Sequence, residues 1–90
     1  MTPAINPQKA LSALQSLDPN MPRDDWYRVC AAARAAGLEF DSFDQWSASG
    51  ASYNPSDCRS TWQSLPPQDG GIGVATLFGM AAAGGWRWKP

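Results

Sequence analysis

The sequence predicts an all-α fold, a compact bundle of about five short helices. Apolar residues recur with the 3.6-residue period of a helix in five segments, and prolines and glycines separate those segments. No stretch alternates apolar and polar residues as a half-buried strand does. A chain of 90 residues supports one modest core, so we expect residues 1–90 to form a single domain.

The first helix is expected to begin at Asn6-Pro7, because asparagine caps a helix and proline fits its first position. Its apolar face follows at helical spacing: Ala10, Leu11, Leu14 and Leu17. Asp18-Pro19 ends it. The second helix has its apolar face on Trp26, Val29, Cys30 and Ala33. The glycine at position 37 is its expected stop.

In the third helix, Asp41 is expected to act as the cap with Asp44 in a box-like arrangement, and Phe43 and Trp46 form the buried edge. Asn54-Pro55 repeats the cap-then-proline signature and begins a fourth helix. Asp57 lies in its first turn and Cys58 and Trp62 face inward, with Pro66-Pro67 after its end.

The fifth helix is predicted from Val74 to Ala83, with Leu77, Phe78 and Ala81 as its apolar pattern. Gly84-Gly85 ends it, and Trp86 is expected to fold back onto the bundle. The glycine-rich loop before it, residues 70–73, resembles a phosphate cradle only weakly, because no strand precedes it and no lysine follows it. A tight connection is the better interpretation.

Composition excludes several classes of protein. Seven cations against eight anions give a net charge of -1, which argues against a wide basic face for nucleic acid. The chain has no histidine, so it carries neither a Ser-His-Asp arrangement nor a histidine-containing zinc site. The carboxylate pairs Asp24-Asp25 and Asp41 with Asp44 fall at helix starts, where the dipole favours them. We therefore expect no catalytic residues, no metal and no cofactor.

The chain contains no run of 18 apolar residues and no signal-peptide pattern near Met1, so we expect a cytoplasmic protein without membrane contact. Cys30 and Cys58 lack metal-type spacing. Two reduced, packed thiols are expected, and a disulfide between two helices is the alternative.

Five large residues are assigned to the core, because a domain this small has little else to fill its centre: Trp26, Trp46, Trp62, Leu77 and Trp86. The alternative for the tryptophans is base stacking.

Candidate nucleic-acid contacts are polar or aromatic residues away from those apolar edges. On the second helix Arg23, Tyr27 and Arg34 are expected on a face different from that of Trp26 and Cys30. Three further candidates are less clear, one because Asp24 can pair with it and two because they flank the fourth helix: Arg28, Tyr53 and Arg59. The alternative is that these side chains only solvate the helix surfaces.

One ordered set of residues resembles a known family: Asp25-Trp26, Phe43-Asp44-Gln45-Trp46-Ser47, Tyr53, Cys58, Trp62, and Gly73 to Gly85 with Thr76-Leu77 and Ala81. It resembles the second type of primase C-terminal domain, PriCT-2, of phage and plasmid replication primases. The resemblance covers residues 10–86 and leaves 87–90 as a tail.

The resemblance implies a non-catalytic accessory role in primer synthesis. The domain would help a primase hold single-stranded template or nucleotide, with weak binding of its own, or link the primase catalytic module to a helicase. The alternative function is a protein–protein adaptor, or a stand-alone small inhibitor or regulator of a phage or plasmid. The sequence leaves the choice between an excised domain and a stand-alone protein open.

Overall fold

The computed structural model describes residues 7–65 and 73–88. These residues form five helices and no strand, which confirms the predicted all-α bundle. The helices are α1 (Pro7–Ser16), α2 (Arg23–Ala35), α3 (Phe40–Ala48), α4 (Pro55–Ser64) and α5 (Val74–Ala83). The Cα radius of gyration is 12.3 Å, close to the value of about 12 Å expected for a compact chain of this length.

Helix α2 lies at the centre of the bundle and contacts each of the other four helices. Its middle is buried without interruption from Val29 to Ala33. A helix packed on several sides cannot have a single apolar stripe, and its alanines allow the neighbouring helices to approach closely. Helix α5 packs against α1 and α2, and α3 packs against α4.

An aromatic cluster around Phe43 fills the core between α2, α3 and α4. Phe43 is fully buried, and its ring centroid lies 5.5 Å from that of Trp26, 5.7 Å from Trp46 and 5.5 Å from Trp62. Such spacings are favourable for aromatic pairs. The cluster joins three helices through one buried ring.

The predicted core residues divide into two groups. Trp46 and Leu77 are buried, whereas Trp26, Trp62 and Trp86 are half-buried and pack against the core from its edge. The indole N–H of Trp46 donates to the Leu17 carbonyl at 2.9 Å. Each of these tryptophans therefore contributes to packing, and three of them also keep part of the ring accessible.

Two helices end as the sequence predicts. Gly37 has φ of 82°, and the Leu38 N–H donates to the Ala33 carbonyl at 3.1 Å. Gly85 has φ of 100°, and the Trp86 N–H donates to the Ala81 carbonyl at 3.0 Å. Both positions need the left-handed conformation that glycine adopts without steric cost. The Trp86 indole returns to α1, where its N–H donates to Ser12 Oγ at 3.1 Å.

The helix starts were predicted with mixed success. Helix α4 begins as expected, with Asn54 Oδ1 accepting from the Asp57 N–H at 3.0 Å and Pro55 in the first position. The assignment of Asp41 as the cap of α3 was wrong, because the N-cap is Glu39, two residues earlier, and Asp41 lies in the first turn of the helix. Burial of Leu38 and partial burial of Phe40 fix the chain there, so packing overrides the local capping signal.

Several predicted features lie outside the described residues: the cap Asn6, Pro66-Pro67, most of the glycine-rich loop, and the end of the tail at residues 89–90.

Candidate nucleic-acid interface

The candidate site is a groove of about 290 Å³ at one end of α2 and α4. Four segments form it: the α1–α2 loop, the first turn of α2, the last turn of α3, and the α3–α4 loop with the start of α4. Its lining residues are Pro19, Met21, Arg23, Trp26, Ser47, Gly50, Ser52, Tyr53, Asn54, Asp57 and Cys58. This volume is near the lower end for ligand pockets, about 300 Å³, and suits one small ligand.

One hydrogen bond and a close backbone approach hold the two loops together. Asn20 Oδ1 accepts from the Ala51 N–H at 2.7 Å, and Asp18 Oδ1, within the α1–α2 loop, accepts from the Asn20 N–H at 2.9 Å. A Cβ atom at Gly50 would lie 3.2 Å from Cβ of Pro19. Glycine is therefore the residue that lets the α3–α4 loop pass so close to the α1–α2 loop.

Arg23 and Asp57 form a bidentate ion pair at the groove. Arg23 Nη1 donates to Asp57 Oδ2 at 2.7 Å, and Nη2 donates to Oδ1 at 3.0 Å. The Arg23 side chain is 66% exposed and that of Asp57 is 40% exposed. The hydrogen bond between them, with the attraction of their charges, lowers the pKa of Asp57 and raises the pKa of Arg23. The guanidinium charge is thus neutralised within the groove.

Aromatic rings lie beside this pair. Cζ of Arg23 is 5.2 Å from the ring centroid of Trp26, a cation–π distance. The Trp26 indole N–H donates to Ser47 Oγ at 3.2 Å. The Tyr53 hydroxyl donates to Asp44 Oδ1 at 2.6 Å, and this bond raises the pKa of Tyr53 to about 12. Both rings are therefore held by hydrogen bonds, and the phenol stays neutral at physiological pH.

The groove brings together two of the six predicted contact residues, Arg23 and Tyr53. It also includes Trp26, which the sequence analysis assigned to the core. The expectation that Arg23 lies away from Trp26 was wrong, because residues three apart on a helix are neighbours. The other four candidates do not line the groove.

Those four residues have other surroundings. Arg28 Nη1 lies 3.4 Å from Asp25 Oδ1, and the pairing with Asp24 suggested by the sequence was wrong. Arg34 Nη1 donates to the carbonyls of Trp62 at 2.8 Å and Leu65 at 3.1 Å. Cζ of Arg59 lies 4.8 Å from the ring centroid of Phe40, and Tyr27 is half-buried against the core. Three of these residues lie on α2 (Tyr27, Arg28 and Arg34), and Arg59 lies on α4.

The role of Asp57 in the groove was not predicted from the sequence. Its position predicts a first-turn residue of α4, and its partner Arg23 is 34 positions away along the chain. The local pattern Asn54-Pro55 with Asp57 also suits a simple cap. No short-range signal distinguishes an aspartate that completes a cap from one that also pairs across a groove.

Both cysteines are buried thiols, and one of them lies at the groove. Cys58, at its wall, is buried and free, and burial raises its pKa to about 11. Burial likewise raises the pKa of Cys30 to about 12, so both thiols are protonated. Residues 7–65 and 73–88 contain no cluster of three or more His, Cys, Asp or Glu able to hold a metal. Within the same ranges, no helix has the length and apolar character needed to cross a membrane.

The comparisons with known proteins identify a family. Residues 10–81 match the profile of Primase C terminal 2 (PriCT-2), which covers most of the chain and all of the groove residues. No curated protein and no solved structure matches significantly. The chain therefore belongs to the PriCT-2 family, the accessory C-terminal domains of primases.

Proposed function

We propose that the chain is a cytoplasmic, non-catalytic accessory domain of a phage or plasmid replication primase, and that it helps the primase hold single-stranded template or nucleotide. The observation that carries this proposal is the groove that groups Arg23, Trp26 and Tyr53. An arginine fork matches phosphate geometry. A base on an aromatic face contributes about 1–3 kcal/mol in single-strand binders.

The charges of the described residues argue that this contact is weak. Arg23 and Arg28 pair with aspartates, Arg34 is bonded to two carbonyls and Arg59 lies over a ring. Of these four, Arg23 and Arg28 have their charges paired, and the chain carries just seven cations against eight anions, so few phosphates can be neutralised. We expect a Kd for single-stranded DNA in the non-specific range, about 10⁻⁴–10⁻⁶ M, with a shallow salt dependence.

The absence of catalysis is supported by the chain's titratable groups. Histidine is missing from the sequence, and three of the carboxylates are engaged: Asp25 with Arg28, Asp44 with Tyr53, and Asp57 with Arg23. None of these carboxylates is a free general base. We expect the chain alone to show no primer synthesis and no nucleotide hydrolysis.

An NMR titration of the ¹⁵N-labelled chain with a short single-stranded oligonucleotide tests the proposal. We expect fast-exchange shifts at the start of α2 and in residues 50–58. A lack of shifts at millimolar DNA would contradict template binding. Detectable primer synthesis by the chain alone would contradict the non-catalytic assignment.

A second function, linking the primase catalytic module to a helicase or another protein, is favoured by the outer face of α5. This helix has no charged residue. Its exposed positions are small and apolar: Ala75, Gly79, Ala82 and Ala83. Ala82→Glu should then abolish co-purification with a partner module and leave DNA binding unchanged, whereas Ala35→Glu, at an exposed alanine of α2, should affect neither.

A further inference from the structure

We infer that the groove is a nucleotide-binding site in which the Asp57 carboxylate occupies the phosphate position and is displaced by the ligand. The inference rests on the proposed function and deepens it, because it names the residues that bind and the residue that limits binding. The ligand class is a nucleotide unit carrying a phosphate, either within a single strand or free.

The phosphate position follows from the geometry of the ion pair. Both Asp57 oxygens accept from Arg23, at 2.7 and 3.0 Å, and a phosphate presents two oxygens to a guanidinium in the same way. The two side chains are 66% and 40% exposed, so a ligand reaches them from solvent without opening the core. An exposed pair of this kind is weak enough for exchange.

The base position follows from the rings behind the arginine. The buried Phe43 supports Trp26 at a centroid distance of 5.5 Å, and Trp26 supports the Arg23 guanidinium at 5.2 Å. The Arg23 guanidinium therefore packs on a ring that itself packs on the buried core. Bases stack on guanidinium planes and on aromatic rings, and Tyr53 offers a second ring in the same groove.

Polar groups for the edge of a base or sugar are also present. Asn54 uses Oδ1 to cap α4, and within the described part of the chain its Nδ2 has no hydrogen-bond partner. Ser52, also in the lining, has none there either. Asn54 can therefore donate and Ser52 can donate or accept. The volume of about 290 Å³ fits one nucleotide unit and is too small for a duplex.

Asp57 sets the affinity in this arrangement. It competes with phosphate for Arg23, and its charge opposes an anion in the groove. Asp57→Asn removes that charge and keeps the side-chain shape and the backbone N–H that Asn54 caps. We expect this variant to bind a labelled single-stranded dT10 at about 0.1 M salt about two- to fivefold more tightly, the range of an exposed ion pair. Arg23→Ala should weaken dT10 binding by at least about two- to fivefold.

Asp25→Asn is the matched control, because it removes the same charge from the other described ion pair, which lies outside the groove. Screening at about 0.1 M salt confines its effect to less than about twofold. Thermal melts of all variants establish that each is folded. Equal affinities for Asp57→Asn and Asp25→Asn would overturn the inference.

The outcomes separate the inference from the proposed function. If the parent chain binds dT10 and neither Asp57→Asn nor Arg23→Ala changes the Kd, template binding stands and the groove is not its site. If the parent chain and every variant fail to bind, both fail. If the variants behave as expected, NMR titrations identify the ligand. Chemical-shift changes of the groove residues with both dTMP and dT10 identify a free nucleotide as a ligand, whereas changes with dT10 alone identify the template strand.

Discussion

Replacing Arg34 by alanine tests whether this residue stabilises the fold or contacts DNA. Helix α4 has no basic residue in its last turn, although a cation there would stabilise the helix by interacting with the negative end of its dipole. Arg34 of α2 supplies that charge by donating to the Trp62 and Leu65 carbonyls at 2.8 and 3.1 Å. These carbonyls belong to the helix end that lacks intrahelical donors. The side chain thus ties the end of α4 to α2.

The expected loss follows from these two bonds. Hydrogen bonds from a charged donor contribute about 1.5–3 kcal/mol when buried. Arg34 is exposed, so we expect Arg34→Ala to lower the free energy of unfolding by about 1–2 kcal/mol. For a domain of this size the melting temperature falls by about 4–8 °C per kcal/mol.

Thermal melts followed by circular dichroism provide the measurement, with Arg28→Ala as the control. Arg28 lies on the same helix in an exposed pair at 3.4 Å, and its loss should cost about 0–1 kcal/mol. An Arg34→Ala variant with the melting temperature of the parent chain would refute a stabilising role for Arg34. If that variant also loses DNA binding, Arg34 is a contact residue, as the sequence analysis allowed.

Two further predictions concern the core. Trp46→Ala should destabilise by about 3–5 kcal/mol, because it removes a buried ring and leaves the Leu17 carbonyl without its donor. Trp62→Ala should cost less, since Trp62 is half-buried, and urea unfolding that gives equal losses would contradict this ranking. Burial raises the pKa of Cys30 to about 12 and that of Cys58 to about 11, whereas thiols in an unfolded chain titrate near about 8.5. The folded state therefore binds these protons more tightly. Its stability should be full below about pH 8.5 and fall as the pH rises toward 12. A urea midpoint that stays constant from neutral pH to about pH 10.5 would be evidence against buried thiols.

The sequence predicted those parts of the fold whose signals are local. Asn54-Pro55 and Gly37 determine a helix start and a helix stop through their own capping and backbone preferences, and the structure has both. The start of α3 could not be predicted from local capping signals. There the burial of Leu38 and the contact of Phe40 with Trp62, at 5.8 Å between centroids, outweigh the capping preference of Asp41. Those contacts join segments that are distant in sequence.

The same limit applies to the candidate site. Residue type alone identified Arg23 and Tyr53, and both line the groove. Their partners were not predictable, because Arg23 pairs with a residue 34 positions away and Arg34 bonds to a carbonyl 28 positions away. An arginine that the sequence predicts to be exposed and available to a ligand can thus be hydrogen-bonded to another helix. Only the tertiary arrangement decides which cations remain for a ligand.

In the proposed function, the paired charge of Arg23 in the groove suits a domain that acts while joined to a catalytic module. A tethered site experiences an effective ligand concentration in the millimolar range. With a Kd of about 10⁻⁴ M for the groove, a template held by the catalytic module at about 1 mM effective concentration would occupy it about nine-tenths of the time. The same site in isolation stays almost empty at micromolar DNA. In the inferred exchange, Asp57 pairs with Arg23 again when the strand leaves, as it does in the structure, so release exposes no unpaired charge. A weak, self-neutralised groove therefore permits the strand to move during primer synthesis, whereas a strongly basic groove would retain it.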